Sequence, residues 1–198
     1  GSSVAGLGLV TNVFSALLAC VKIGTWSVLA YQSYAFGSAL SKVLDNKEIT
    51  ESERLLEGIK FLQQEIAPTS EERETIGADI EKSYGRLSPE TKECLRRRKL
   101  LDLAKTKIER LKRRMDIHSV RQIALDSDRL IARLQLSPNC PLAQKEARGF
   151  IQSVQKANQK RTMLYAAAAV VASIALGILI TGIVFSMGLL TLGGSVLL

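Results

Sequence analysis

The residues whose types could do chemistry are few and scattered. His118 is the only histidine in the 198-residue chain. A general base needs a partner within hydrogen-bond reach, and no nucleophile stands in a recognisable pattern with it. Cys20, Cys94 and Cys140 are odd in number and far apart, which gives neither a disulfide framework nor a zinc spacing. Asp79, Glu81, Asp126 and Asp128 follow no metal-loop pattern, and neither HExxH nor a phosphate-binding GxxxxGK[ST] occurs. Gly6-Leu7-Gly8 and Gly193-Gly194 lie inside apolar runs, where packing or bending is their use. The expectation is a protein that is not an enzyme and carries no cofactor or metal.

The chemistry that remains is anion recognition. Arg96, Arg97, Arg98 and Lys99 form an unbroken basic run, and Lys105, Lys107, Arg110, Lys112, Arg113 and Arg114 extend it along the same predicted helix. A charge run is commonly a solvated face. Held near an anionic bilayer, each Lys or Arg is worth about 1 kcal/mol. With a formal charge of +8, Arg96, Arg97, Arg98, Lys99, Arg113 and Arg114 are candidate contacts to anionic lipid or to an acidic protein. Nucleic acid ranks lower as a partner, because no binding motif or aromatic interleaving accompanies the charge.

The middle of the chain supplies the elements that position this run. Thr50-Glu51-Ser52-Glu53 and Thr69-Ser70-Glu71-Glu72 match capping boxes, and Ser88-Pro89 reads as N-cap and first helical residue. Leu55, Ile59, Leu62 and Ile66 share one helical face, and Ile76, Ile80, Tyr84 and Leu87 a narrower one. In the helix from Pro89, Leu101, Ala104, Ile108, Leu111 and Met115 alternate spacings of three and four, a short coiled-coil seam. The pattern shifts phase near Asp116-Ile117-His118-Ser119, where either Ser119 and Gln122 cap a restarted helix or the helix continues with a kink. Ser137-Pro138-Asn139-Cys140-Pro141 breaks the chain. A last helix runs from about Pro141, with Leu142, Phe150, Ile151, Val154 and Ala157 on its face, into the terminal apolar run without a break.

Both ends of the chain are apolar. Met163 to Leu198 contains no charged residue, His, Asn, Gln or Pro. A run of roughly eighteen or more such residues is long enough to span a bilayer. It fits one span with an apolar tail, or a hairpin bending at Thr181-Gly182 or at Ser186-Met187-Gly188. Lys160 and Arg161 just before the run, with Tyr165 and Trp26, are candidate interface anchors. Val4 to Leu44 carries Lys22 as its only charge before Lys42 and divides near Lys22-Ile23-Gly24-Thr25 into two lobes. It reads as an apolar helical hairpin, spanning or buried. All acidic residues, and every Lys or Arg except Lys22, fall between Ser41 and Thr162. Excess Lys and Arg beside a span favours the cytosolic side. The start at Gly1-Ser2-Ser3 lacks Met and reads as a cut from something longer.

The expected fold is therefore all-α: a long-helix bundle or short coiled coil in residues 45–162, flanked by a hairpin in 4–44 and a transmembrane segment or bilobed hairpin in 163–198. This layout resembles the inclusion-membrane proteins of chlamydiae, in the bilobed stretch Met163 to Leu198 around Thr181-Gly182 and in Val4 to Leu44 around Lys22-Ile23-Gly24-Thr25. The resemblance implies type III secretion, insertion in the vacuole membrane and a helical face shown to host cytosol. The functional expectation is an integral membrane scaffold or interaction protein. Its partners would be the bilayer and a helical protein or a second copy. A pore-forming or translocator-like protein, sheltering apolar hairpins and inserting them later, is the alternative, with Asn12 and Gln32 as pore-facing groups.

Overall fold

A computed structural model of the protein describes residues 2–195, so residues 196–198 of the expected terminal segment lie outside it. The described chain is all helix: α1 (Ser2–Leu44), α2 (Glu51–Gln64), α3 (Ser70–Tyr84), α4 (Pro89–Arg114), α5 (Ile117–Leu136) and α6 (Pro141–Ser195). It divides into two compact units, one of residues 33–161 and one joining the flanking stretches of α1 and α6.

Local chemistry starts each helix of the 33–161 unit. Thr50 and Thr69 accept from the N–H groups of Glu53 and Glu72, whose carboxylates accept in return from the threonine N–H groups, completing both capping boxes. Ser88 caps α4, with Pro89 in its first turn. The restart at α5 is capped by Asp116, not by the expected Ser119. Asp116 accepts from the Ser119 N–H at 2.9 Å and from its hydroxyl at 3.0 Å. These bonds favour the charged carboxylate and hold it below its usual range.

Two apolar clusters form the core of this unit. Phe36 and Leu40 of α1 meet Leu62, Leu111, Met115, Val120, Ile123 and Val154 in the first. Leu55 and Ile59 of α2, Leu130 and Leu134 of α5, and Ala143, Ala147 and Ile151 of α6 form the second. The expected seam on α4 is occupied in its second half only: Leu111 and Met115 are fully buried, Ile108 and Ala104 partly, and Leu101 is 57% exposed. Two glycines permit close approaches. A Cβ on Gly58 would press on Leu44 and Ile151, and one on Gly37 would fall on the Asn158 side-chain oxygen. The hairpin of α3 with the first half of α4 has a thinner interior. Ile80 is its buried residue, while Tyr84 and Leu87 are exposed.

In the other unit the expected bend of the N-terminal stretch is absent, and of the two readings of the C-terminal stretch the unbent one is present. Each flanking stretch is continuous helix, through Lys22-Thr25 in α1 and through Thr181-Gly182 and Ser186-Gly188 in α6. The hydroxyls at those points are satisfied within the helix: Thr25 donates to the Val21 carbonyl, Thr181 to Gly177 and Ser186 to Gly182, each at 2.9 Å. A glycine without proline or a competing turn is tolerated inside such a helix. The apolar region 4–44 is thus one helix, not a hairpin, and the described part of 163–198 is one helix as well.

Candidate membrane face and basic surface

In the unit of flanking stretches, large apolar side chains stand open. Val10, Leu17, Val171, Ile174, Ile178 and Phe185 are all at least 59% exposed. Within Gly6–Leu44 and Pro141–Leu189, the most apolar windows are 6% and 0% buried. Several hydroxyls within these stretches turn inward on their own backbone. Thr11 donates to Leu7 and Ser173 to Ala169, alongside the hydroxyls already described. Hydroxyls bonded one turn back are what a helix needs where no water can serve them.

Trp26 and Tyr165, the expected aromatic anchors, are brought together. Their rings stack with centroids 5.8 Å apart and planes at 29°, and Tyr165 is buried. Beside them opens a groove of about 480 Å³, lined by Ser15, Ala19, Lys22 and Trp26 of α1 and by Ala168, Ala172 and Ala175 of α6, among others. The basic anchors, both in the 33–161 unit, part company. Lys160 is exposed, whereas Arg161 donates to the Met115 carbonyl at 3.3 Å.

That last bond belongs to a polar knot at the end of α4. The final carbonyls of a helix lack intrahelical donors. Here Asn158 donates to the Arg114 carbonyl at 3.0 Å, and to the Ser33 carbonyl and hydroxyl at 3.0 and 3.1 Å. Ser33 also reaches the Arg114 carbonyl at 3.4 Å. Asn158 and Ser33 are both buried. Sequence reasoning passed over them, although Asn158 is in helical register with Ile151 and Val154 on the core face.

The basic face of α4 is smaller than its sequence suggests. Lys107 points into the protein at 9% exposure. Its ammonium donates to the Gln64 carbonyl at 2.9 Å, the Ala67 carbonyl at 3.1 Å and the Glu72 carboxylate at 2.6 Å, which uses all three of its donors. The Lys107 bond is the main reason that the Glu72 carboxyl sits below its usual range. Arg114, a candidate for outside contact, pairs with Glu65 at 3.0 Å and lies 5.3 Å over the Phe36 ring. Burial pulls its guanidinium below the ordinary value, with Glu65 opposing. Arg97 pairs with Glu93 at 3.0 Å, and Lys99 lies 6.0 Å from the centre of the Tyr84 ring. Arg96, Arg98 and Arg113 are exposed. Arg96, Arg97, Arg98 and Lys99 thus remain together on the surface, and Arg114 leaves the set.

No group of metal-ligating side chains occurs among the described residues. Cys20 and Cys94 are exposed and Cys140 half-buried, all as free thiols. Comparison with protein-family models, curated proteins and solved structures finds no match to this chain. The architecture itself defines the class: an all-α protein with two helices long and apolar enough to cross a membrane.

Proposed function

We propose that this chain is a membrane-anchored interaction protein. In this reading the flanking stretches of α1 and α6 span the bilayer, and residues 33–161 form a helical domain that recruits a partner from the cytosol. The observation that carries it is the pairing of open apolar surface with internally satisfied hydroxyls in those stretches. In water such a surface costs about 25 cal/mol for each Å² of apolar area; in lipid it costs nothing. The sheltered form of a pore-forming protein would bury these same side chains, so their exposure favours the anchored reading. Lys42, Lys156, Lys160 and Arg161 beside the apolar stretches support a cytosolic domain by the excess of positive charge.

The partner surface in this reading is the run Arg96 to Lys99 on the α3–α4 hairpin, with Tyr84 and Leu87 close in sequence and exposed. Its chemistry suits an acidic helical protein. The resemblance to inclusion-membrane proteins adds a specific setting, a vacuole membrane with the domain facing host cytosol.

Membrane partition of the full chain tests the proposal. Retention in the pellet after carbonate extraction at high pH, with protease cutting within 33–161 from the cytosolic side only, is the expected result. Release of the whole chain into the supernatant would sink it.

A further inference from the structure

The groove between the two apolar stretches pairs one cation with an apolar wall, and that combination selects a ligand. Lys22 is the only charged residue before Lys42. It lines the groove, and no ion pair or hydrogen bond engages it among the described residues. Neither stretch supplies a carboxylate, since the acidic residues run only from Asp45 to Glu146. A lysine set within a membrane-spanning segment is costly unless its ammonium finds a counter-charge or reaches the interface.

The aromatic pair sets its level. Trp26 lies one helical turn from Lys22, about 6 Å along the axis. Tryptophan and tyrosine rings settle at the headgroup boundary, and a lysine stem of this length carries its ammonium about that far. Away from the rings the groove continues past Ala19 to Ser15 on α1 and past Ala172 to Leu179 on α6. From Trp26 to Ser15 it extends about 16 Å, close to the roughly 15 Å of one bilayer leaflet. Leu18, Val171 and Leu179 make its walls apolar, and the alanines between them leave room for a slender chain. We propose that this groove binds one phospholipid with a net anionic headgroup, its phosphate on Lys22 and one acyl chain laid along Leu18 and Ala172.

The proposal rests on the membrane-anchored reading and adds a ligand to it. A second copy of the chain is a poor occupant, because it would bring another lysine and no carboxylate. Free phosphate would leave the apolar wall uncovered. A membrane helix bearing Asp or Glu is the remaining competitor, and it gives no reason for the aromatic pair beside the groove.

Native mass spectrometry on the full chain, released from nanodiscs holding equal phosphatidylglycerol and phosphatidylcholine, tests it. The expected result is one retained phosphatidylglycerol, with occupancy falling about 5–10-fold in Lys22→Gln, as loss of one lipid-facing charge implies. Lys22→Arg should restore it, and Lys42→Gln should leave it unchanged. Ala172→Phe should expel the lipid although Lys22 is intact. Equal occupancy in the protein and in Lys22→Gln would overturn the proposal. So would a photoreactive group at position 22 that captures a polypeptide in native membranes, which would assign the groove to an acidic helix. Carbonate extraction of the same variants separates the two failures. Retention of all of them with unchanged lipid overturns the lipid site alone, and release of the unmodified chain overturns the membrane reading together with it.

Discussion

In its first turns α6 buries Ala143, Ala147, Ile151, Val154 and Asn158 along a single face. Beyond Thr162 the same helix shows Val170, Val171, Ile174, Ile178, Val184 and Phe185, each more than half exposed. The pattern in α1 is the reverse in chain order: Val4, Leu7, Val10 and Leu17 stand open, and Ser33, Phe36 and Leu40 are buried. A helix with one apolar stripe needs a protein face to lie against, whereas a helix apolar all round needs an apolar solvent. Each helix therefore meets both requirements along one continuous backbone. In chain order the change falls between Trp26 and Ser33 in α1 and between Asn158 and Tyr165 in α6.

Substitutions can pull the two regimes apart. Leu111→Ala removes a fully buried side chain and should cost about 3–4 kcal/mol of domain stability. Thermal unfolding followed by circular dichroism should show the loss, with membrane retention unchanged. Joint loss of both would mean that the regimes are not separable. Ile174→Arg, at a position 59% exposed, should oppose insertion by about 3 kcal/mol if lipid covers it. If water covered it, the change would stay within about 0.5 kcal/mol. The fraction of chain in the carbonate-washed pellet decides between these. Asn158→Ala should cost about 2 kcal/mol, because the Arg114 carbonyl and Ser33 lose a buried donor. It belongs to the protein-packed regime, so its effect should appear in thermal unfolding.

Acid should act on the same regime, and more weakly. Hydrogen bonds from Lys107, from Arg129 and from Ser119 hold Glu72, Glu146 and Asp116 respectively below their ordinary values of 4.5, 4.5 and 3.8. A depressed carboxyl contributes stability that is full above its unfolded value and fades as pH falls through the folded one. Domain stability should hold at neutral pH and decline once pH drops below about 4. Glu72→Gln should reduce that acid dependence while lowering stability at neutral pH. A pH profile unchanged by Glu72→Gln would remove the Lys107 contact from the account.

What the sequence disclosed was local. Thr50 with Glu53, Thr69 with Glu72, and Ser88 before Pro89 are caps written within four residues, and each is present in the structure. The break at Ser137 to Pro141 is equally local, since proline removes a donor wherever it sits. What escaped was tertiary. By residue type Lys107 belongs with the basic face, although it stands in register with Leu111 and Met115. Only the meeting of α4 with the end of α2 supplies the Gln64 and Ala67 carbonyls that make a buried ammonium tolerable. The bend near Gly24, and the hairpin alternative at Gly182, are absent for a different reason. Glycine marks where a chain can bend, and Thr25 and Thr181 spend their hydroxyls on the helix instead.

The stacking of Trp26 on Tyr165 also has a consequence in time. A ribosome makes the two rings far apart, with the whole of residues 33–161 in between. At 5–20 residues per second, Trp26 waits on the order of ten seconds for its partner ring. During that interval the apolar stretch of α1 carrying Lys22 has no α6 beside it. Whatever receives the growing chain must tolerate that stretch without its partner until Tyr165 has been made.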